Sequence, residues 1–340
     1  MRNQSVKKKF PFSAILLVLA VGTFLASWAR LFPPGIVERA YSRTIFPTIS
    51  HIFGIVADAV PFSWLDVWIL AAVAFLVYGV RKRRWMFLAG GASFFYLWFF
   101  WTWGLNYQRP LLSERLHLET TAVTDPELER FAGVAAGEIN RLWPLAAKTL
   151  LVRPQIGEMA SSRVERVVFK IDGTDWRAAS RVKRSLIAEQ WYKIAGIDGM
   201  FNPFGHEPLV IGGPYPFELP FLMSHELAHV RGVANEGEAN LVALLATVAS
   251  EDPLFQYSGW LYLWDYLPRY PEITLDPGPQ ADLKAAALRV MANEIPIANQ
   301  VQSAILDAHL KANAVPAGLR SYSEFVASAV ASQRRWQDFR

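Results

Sequence analysis

The chain has 340 residues, 52% of them apolar, with 22 phenylalanines and 13 tryptophans; this is enough for more than one structural unit and suggests a membrane contribution. It has no cysteine, which excludes disulfides, thiolate catalysis and cysteine metal sites and leaves His, Asp and Glu as metal ligands. The net charge of +4 is uneven: residues 1–109 carry twelve Lys/Arg against three Asp/Glu, residues 110–340 twenty-two against twenty-seven, so the basic excess reads as membrane topology and a nucleic-acid partner is excluded.

Three apolar stretches, at about 13–31, 62–80 and 85–105, are each near the ~20 residues that span a bilayer as a helix. Lys7–Lys9 precede the first and Arg81–Arg84 separate the second from the third. Both basic clusters should stay cytoplasmic, which places residues 110–340 outside the cytoplasm. Between the first two spans, the segment from Glu38 to Trp64 reads as an external amphipathic or interfacial piece. A signal peptide cleaved near Ala29 is the alternative for the first span. A buried hairpin in a soluble core is the alternative for the other two, and their aromatic content and basic break argue against it.

Beyond residue 109 the pattern turns mainly helical. Thr124 as N-cap, Pro126 and early acids open a helix over 124–143. Residues 166–171 (RVVFKI) read as a short strand, 175–196 as a helix ending at Gly196, and 207–213 (EPLVIGG) as a strand bounded by Pro and Gly. Helices follow at about 219–231, 236–250, 254–267, 280–313 and 320–337, with Pro296 breaking or kinking the fourth. Residues 269–280 form the clearest loop. The expected class is α+β: a transmembrane region over 1–109, then a mainly helical domain over 110–340 with a small sheet.

The chemistry gathers at His225-Glu226-Leu227-Ala228-His229. A spacing of four puts both imidazoles on one helix face, where their nitrogens can share an ion. Glu226 lies about 100° round from His225, placed to take a proton from water on that ion. Zn2+ is the expected cofactor, with three protein ligands and water at a catalytic site. After a turn at Gly232 a second helix begins near Glu236, and it supplies the third ligand. Glu238 is favoured over Glu236, because it sits further inside that helix on the face of Leu241, Val242 and Leu245.

Four segments, 103–112 (WGLNYQRPLL), 199–208 (GMFNPFGHEP), 225–246 and 255–262 (FQYSGWLY), give the chain a further likeness. It resembles the bacterial membrane-protein family catalogued as domain of unknown function 3810, over nearly its whole length. The resemblance implies an inner-membrane protein with three spans and a zincin-like domain carrying a gluzincin-type site. The E-A-N element at Glu238-Ala239-Asn240 resembles the third-ligand helix of other gluzincins. It implies no substrate.

The expected activity is zinc-dependent peptide hydrolysis outside the cytoplasm, on a protein, peptide or cell-wall substrate, with Glu226 moving the proton. His206, Tyr215 and Tyr257 are candidates for the donor that stabilises the oxyanion, and Asn240 for a hydrogen bond to a histidine ligand or the turn. The 207–213 strand could align an extended substrate. A non-catalytic zinc-binding sensor or scaffold, and a zinc amidase of non-peptide substrates, are the competing readings. The short cytoplasmic loop leaves the sensor little room for an output domain.

Overall fold

A computed structural model describes residues 11–118, 123–313 and 321–339; the basic cluster Lys7–Lys9 lies outside them. The chain is mostly helical. In order come α1 (Phe12–Trp28), a short α2 (Pro34–Ile36) that leads into a π-helical stretch over Val37–Ile45, α3 (Phe46–Asp58), α4 (Trp64–Arg81) and α5 (Trp85–Thr102). A single turn, α6 (Leu112–Arg115), precedes α7 (Asp125–Ala146), α8 (Arg153–Asp172) and α9 (Glu189–Ile194). Two strands, β1 (Gly199–Asn202) and β2 (Glu207–Val210), pair antiparallel with Gly199 opposite Val210. Then come α10 (Leu219–Val230), α11 (Glu236–Val248), α12 (Pro253–Trp264), α13 (Pro277–Met291), α14 (Pro296–Ala312) and α15 (Ser321–Ser332).

Local chemistry explains the boundaries of the central helices. Pro220 stands in the first turn of α10, where its missing N–H has no partner to lose. Gly232, at φ +78°, turns the chain past the end of α10, and the Val233 N–H closes on the Ala228 carbonyl at 3.2 Å. The Asn235 side chain then caps α11 by accepting from the Glu238 N–H at 3.3 Å. Pro296 splits the expected 280–313 helix into α13 and α14, taking the first-turn position of the second. α10 packs on α8, α11, α12 and both strands, so it lies at the centre of the main apolar core.

Two expectations are corrected. Residues 166–171 are the end of α8, not a strand: Ile156, Ala160, Val164 and Val167 are all buried, so a helical stripe overrides the β propensity of Val167 and Val168. Of the helix expected over 175–196, only α9 forms. Its earlier residues are held open by partners far away in sequence. Lys183 donates to the Pro208 carbonyl and accepts from the Val210 N–H, both at 3.0 Å. Asp58 accepts from the Ser180 and Arg181 N–H groups, and Asp66 from those of Leu186 and Ile187. Lys183 thereby covers one side of β2, which leaves β1 as the outer strand among the described residues.

The three expected spans correspond to α1, α4 and α5. Among the described residues, Trp64–Arg81 alone is long and apolar enough to cross a membrane by length and composition; Phe12–Trp28 is apolar but shorter. Gly90, Gly91, Ser93, Tyr96 and Thr102 interrupt the apolar run of α5. These N-terminal helices are tied to the rest of the chain by buried bonds. Trp103 Nε1 donates to the His229 carbonyl at 2.9 Å, and Ser50 Oγ to that of Val230 at 3.2 Å.

Candidate metal centre

α10 carries His225 and His229 one turn apart, and their Nε2 atoms approach to 3.1 Å. Glu236, the first residue of α11, reaches back across the Gly232 turn. Its Oε2 lies 3.2 Å from His225 Nε2 and 3.5 Å from His229 Nε2. These three side chains could hold a metal ion. Tetrahedral coordination with bonds of about 2.0–2.1 Å sets donor atoms about 3.3 Å apart, so the three edges fit zinc. The chemistry of the donors fits as well: two imidazoles and one carboxylate, with no thiolate needed.

The surroundings fix these donors. His229 Nδ1 lies 2.7 Å from the Val233 carbonyl, so it carries the proton and leaves Nε2 as the ligating atom. Burial pulls the His229 pKa down, but the Glu236 carboxylate overcomes this and raises it. Glu236 is shifted the other way: burial disfavours its charge, and the two histidines outweigh that and hold it well below the usual carboxylate range. The site is built for an ionised carboxylate next to positive charge.

Glu226 projects from α10 toward β1. Burial pushes its pKa up to about 7 against the opposing pull of His225 and His229. Its carboxylate rests on the bare Cα of Gly199; a Cβ there would lie 2.5 Å from Oε1. A side chain at 199 would therefore displace the Glu226 carboxylate, and glycine leaves it in place.

Glu238 does not join the histidines. Its Oε1 accepts from the Leu112 N–H at 2.6 Å, and its Oε2 lies 3.8 Å from Arg115. Two residues apart on a helix means about 200° of rotation, so Glu236 and Glu238 face opposite ways. Glu238 belongs to a charged network beneath the turn. There Arg109 pairs with Glu38 at 2.7 Å and Asp172 at 2.9 Å and donates to the Gly232 carbonyl at 3.3 Å. Arg115 also pairs with Asp172 at 2.7 Å.

The expected oxyanion donors have the following surroundings. His206 is fully buried, stacked on Phe53 at 4.6 Å, with neither ring nitrogen hydrogen-bonded among the described residues. Tyr215 is 40% exposed and stacks on Phe217. The Tyr257 hydroxyl donates to Asp282 at 2.7 Å. Asn240 is buried beside Tyr266 and bonds neither histidine. The 207–213 segment is likewise not the outer strand, because Lys183 covers β2.

Two residues absent from those expectations are linked electrostatically to the site. The Tyr107 hydroxyl lies 3.4 Å from His309 Nε2, and both groups feel the Glu236 charge. Burial, with Glu236 adding to it, drives the Tyr107 pKa far up, so the phenol keeps its proton. Burial lowers that of His309. Tyr107 falls in the 103–112 segment, but nothing in its spacing to His309, some 200 residues on, marks them as partners.

The family described as "Protein of unknown function (DUF3810)" matches residues 41–330. No curated protein and no solved structure matches the chain.

Proposed function

The chain belongs to the DUF3810 family, and we propose that it is a membrane-anchored, zinc-dependent metallopeptidase that hydrolyses peptide bonds outside the cytoplasm. The observation that carries this reading is the triangle of His225, His229 and Glu236, with edges of 3.1, 3.2 and 3.5 Å, beside the Glu226 carboxylate. A zinc ion held there supplies Lewis acidity toward the scissile carbonyl and acidifies water. Glu226 takes the proton that the attacking water gives up and passes it to the leaving amine as the C–N bond breaks. β1, the outer strand next to Glu226, offers backbone groups for an extended substrate. Tyr107 and His309 are the donors assigned to the developing oxyanion, because both feel the Glu236 charge and Tyr107 is held protonated.

The anchoring half of the proposal rests on α1, α4 and α5. Their outer faces expose Val18, Leu19 and Leu25, then Leu70, Val73 and Leu76, then Phe94 and Trp101. Unpartnered apolar side chains in such number suit lipid. The start of α4 is bound to the catalytic part through Asp66, and the end of α5 through Trp103. Arg81–Arg84 sit at the far end of α4, about 27 Å away at 1.5 Å per residue, close to the thickness of a bilayer's hydrocarbon core. That arrangement agrees with a cytoplasmic basic loop and an external site.

Zinc-loaded full chain in detergent should cleave unfolded protein substrates. Glu226→Gln should retain zinc and lose the cleavage. Equal cleavage by the two proteins would overturn the assignment of Glu226 as base and the peptidase reading with it.

A further inference from the structure

A cavity of about 290 Å³ lies between α10, α12 and α13. Phe217, Phe221, Leu222, Leu261 and Leu283 form its apolar wall. Its lining is linked to the metal centre through α10 and α12. Along α10, Leu222 and His225 are the two residues that are not fully buried, and they share a face with Glu226 and His229. Across the cavity, Tyr262 stacks on Phe221 at 3.6 Å, and its hydroxyl lies 3.1 Å from that of Tyr266, which feels the Glu236 charge. Asp198, also in the lining, immediately precedes the Gly199 on which Glu226 rests.

We propose that this cavity is the specificity pocket of the peptidase site and receives one bulky apolar side chain, aromatic or long aliphatic, from a residue flanking the scissile bond. The proposal rests on the peptidase reading and names its substrate class. Size supports it: an apolar cavity of about 150 Å³ is enough to bind benzene, so 290 Å³ accepts an aromatic side chain. Charge supports it too. Arg289, the one cation in the lining, is paired with Asp198 and Glu218, each at 2.7 Å, so two carboxylates already offset its charge against an acidic substrate side chain. Glycine and alanine would leave the cavity largely unfilled.

Binding tests the pocket independently of catalysis. The probes are amidated pentapeptides of alanine with Phe, Leu, Lys, Glu or Ala at the centre, titrated calorimetrically into zinc-loaded Glu226→Gln full chain. Phe and Leu should bind about tenfold tighter or more than Ala, Lys or Glu. Ala286→Trp, which fills the cavity from α13, should abolish that preference while leaving the Ala peptide unchanged; Ala287→Trp gives a second filled variant if the first folds poorly. Equal binding of all five peptides, tighter binding of the Lys or Glu peptide, or a Phe preference that survives filling would overturn the pocket. Cleavage by the wild type is then read separately. Peptides bound with this preference but never cleaved would overturn the peptidase reading and leave the pocket standing.

Discussion

Replacing Gly199 with alanine adds one methyl group at the point where β1 meets Glu226. The new Cβ would lie 2.5 Å from Glu226 Oε1 and 3.0 Å from its Cδ and Cγ, whereas ordinary contact begins at 3.4 Å. The carboxylate, the strand or both must therefore move by about 0.9 Å, and a misplacement of about 1 Å at a reacting group costs on the order of a hundredfold in rate. Overpacking of this kind also destabilises by about 1–3 kcal/mol. The zinc ligands stand on α10 and α11 and do not touch Gly199, so metal content should hold. The assay is kcat/KM on a peptide substrate, with zinc content and a thermal melt measured on the same preparation. A folded, zinc-replete Gly199→Ala protein with wild-type kcat/KM would refute the claim that Glu226 works from its seat on β1.

Tyr107→Phe and His309→Gln should each lower kcat by about 10²–10³-fold with little change in KM and full zinc retention, the pattern for donors used in the transition state; a change confined to KM would contradict this. Arg109→Met leaves Glu38 and Asp172 with one arginine fewer each, Arg43 and Arg115 remaining, and frees the Gly232 carbonyl. It should cost about 1–3 kcal/mol in denaturant titrations and weaken zinc binding; a neutral result would show that the network does not hold the turn. In chelator-treated protein, burial raises the Glu226 pKa from 4.5 to about 7, so its contribution to stability is complete below pH 4.5 and is lost as pH rises to 7. Glu226→Gln should therefore gain roughly 3 kcal/mol on the wild type across that range. A difference that stays flat with pH would refute the buried, raised carboxylate.

The helix pair at the site was legible because its signals are local. Four-residue spacing fixed the histidines, Pro220 and Gly232 fixed the ends of α10, and the acid-bearing second helix followed directly. The structure brings Glu236 and not Glu238 to the histidines, for a physical reason. Depth within α11 and a shared face with Leu241 point to Glu238 as the inward acid. Yet Gly237 and every residue from Ala239 to Val248 are buried, so nearly the whole helix is inward and its apolar pattern cannot tell one face from another. Only the reach of the first residue back across a five-residue turn decides it. The failures at 166–171 and 175–196 have the same origin at longer range. Val167 and Val168 are helical because α8 packs on α10 and α11, and the chain from Ser180 to Ile187 stays out of a helix because Asp58 and Asp66 accept from its backbone N–H groups. No window of the sequence contains those partners.

Equilibrium zinc content of the purified full chain, set beside those of Glu236→Gln and Glu238→Gln, tests the metal triangle most directly. One zinc per wild-type chain is predicted, with loss in Glu236→Gln and retention in Glu238→Gln. A wild-type protein that takes up no zinc, or a site that survives the change at 236 and empties on the change at 238, would contradict it.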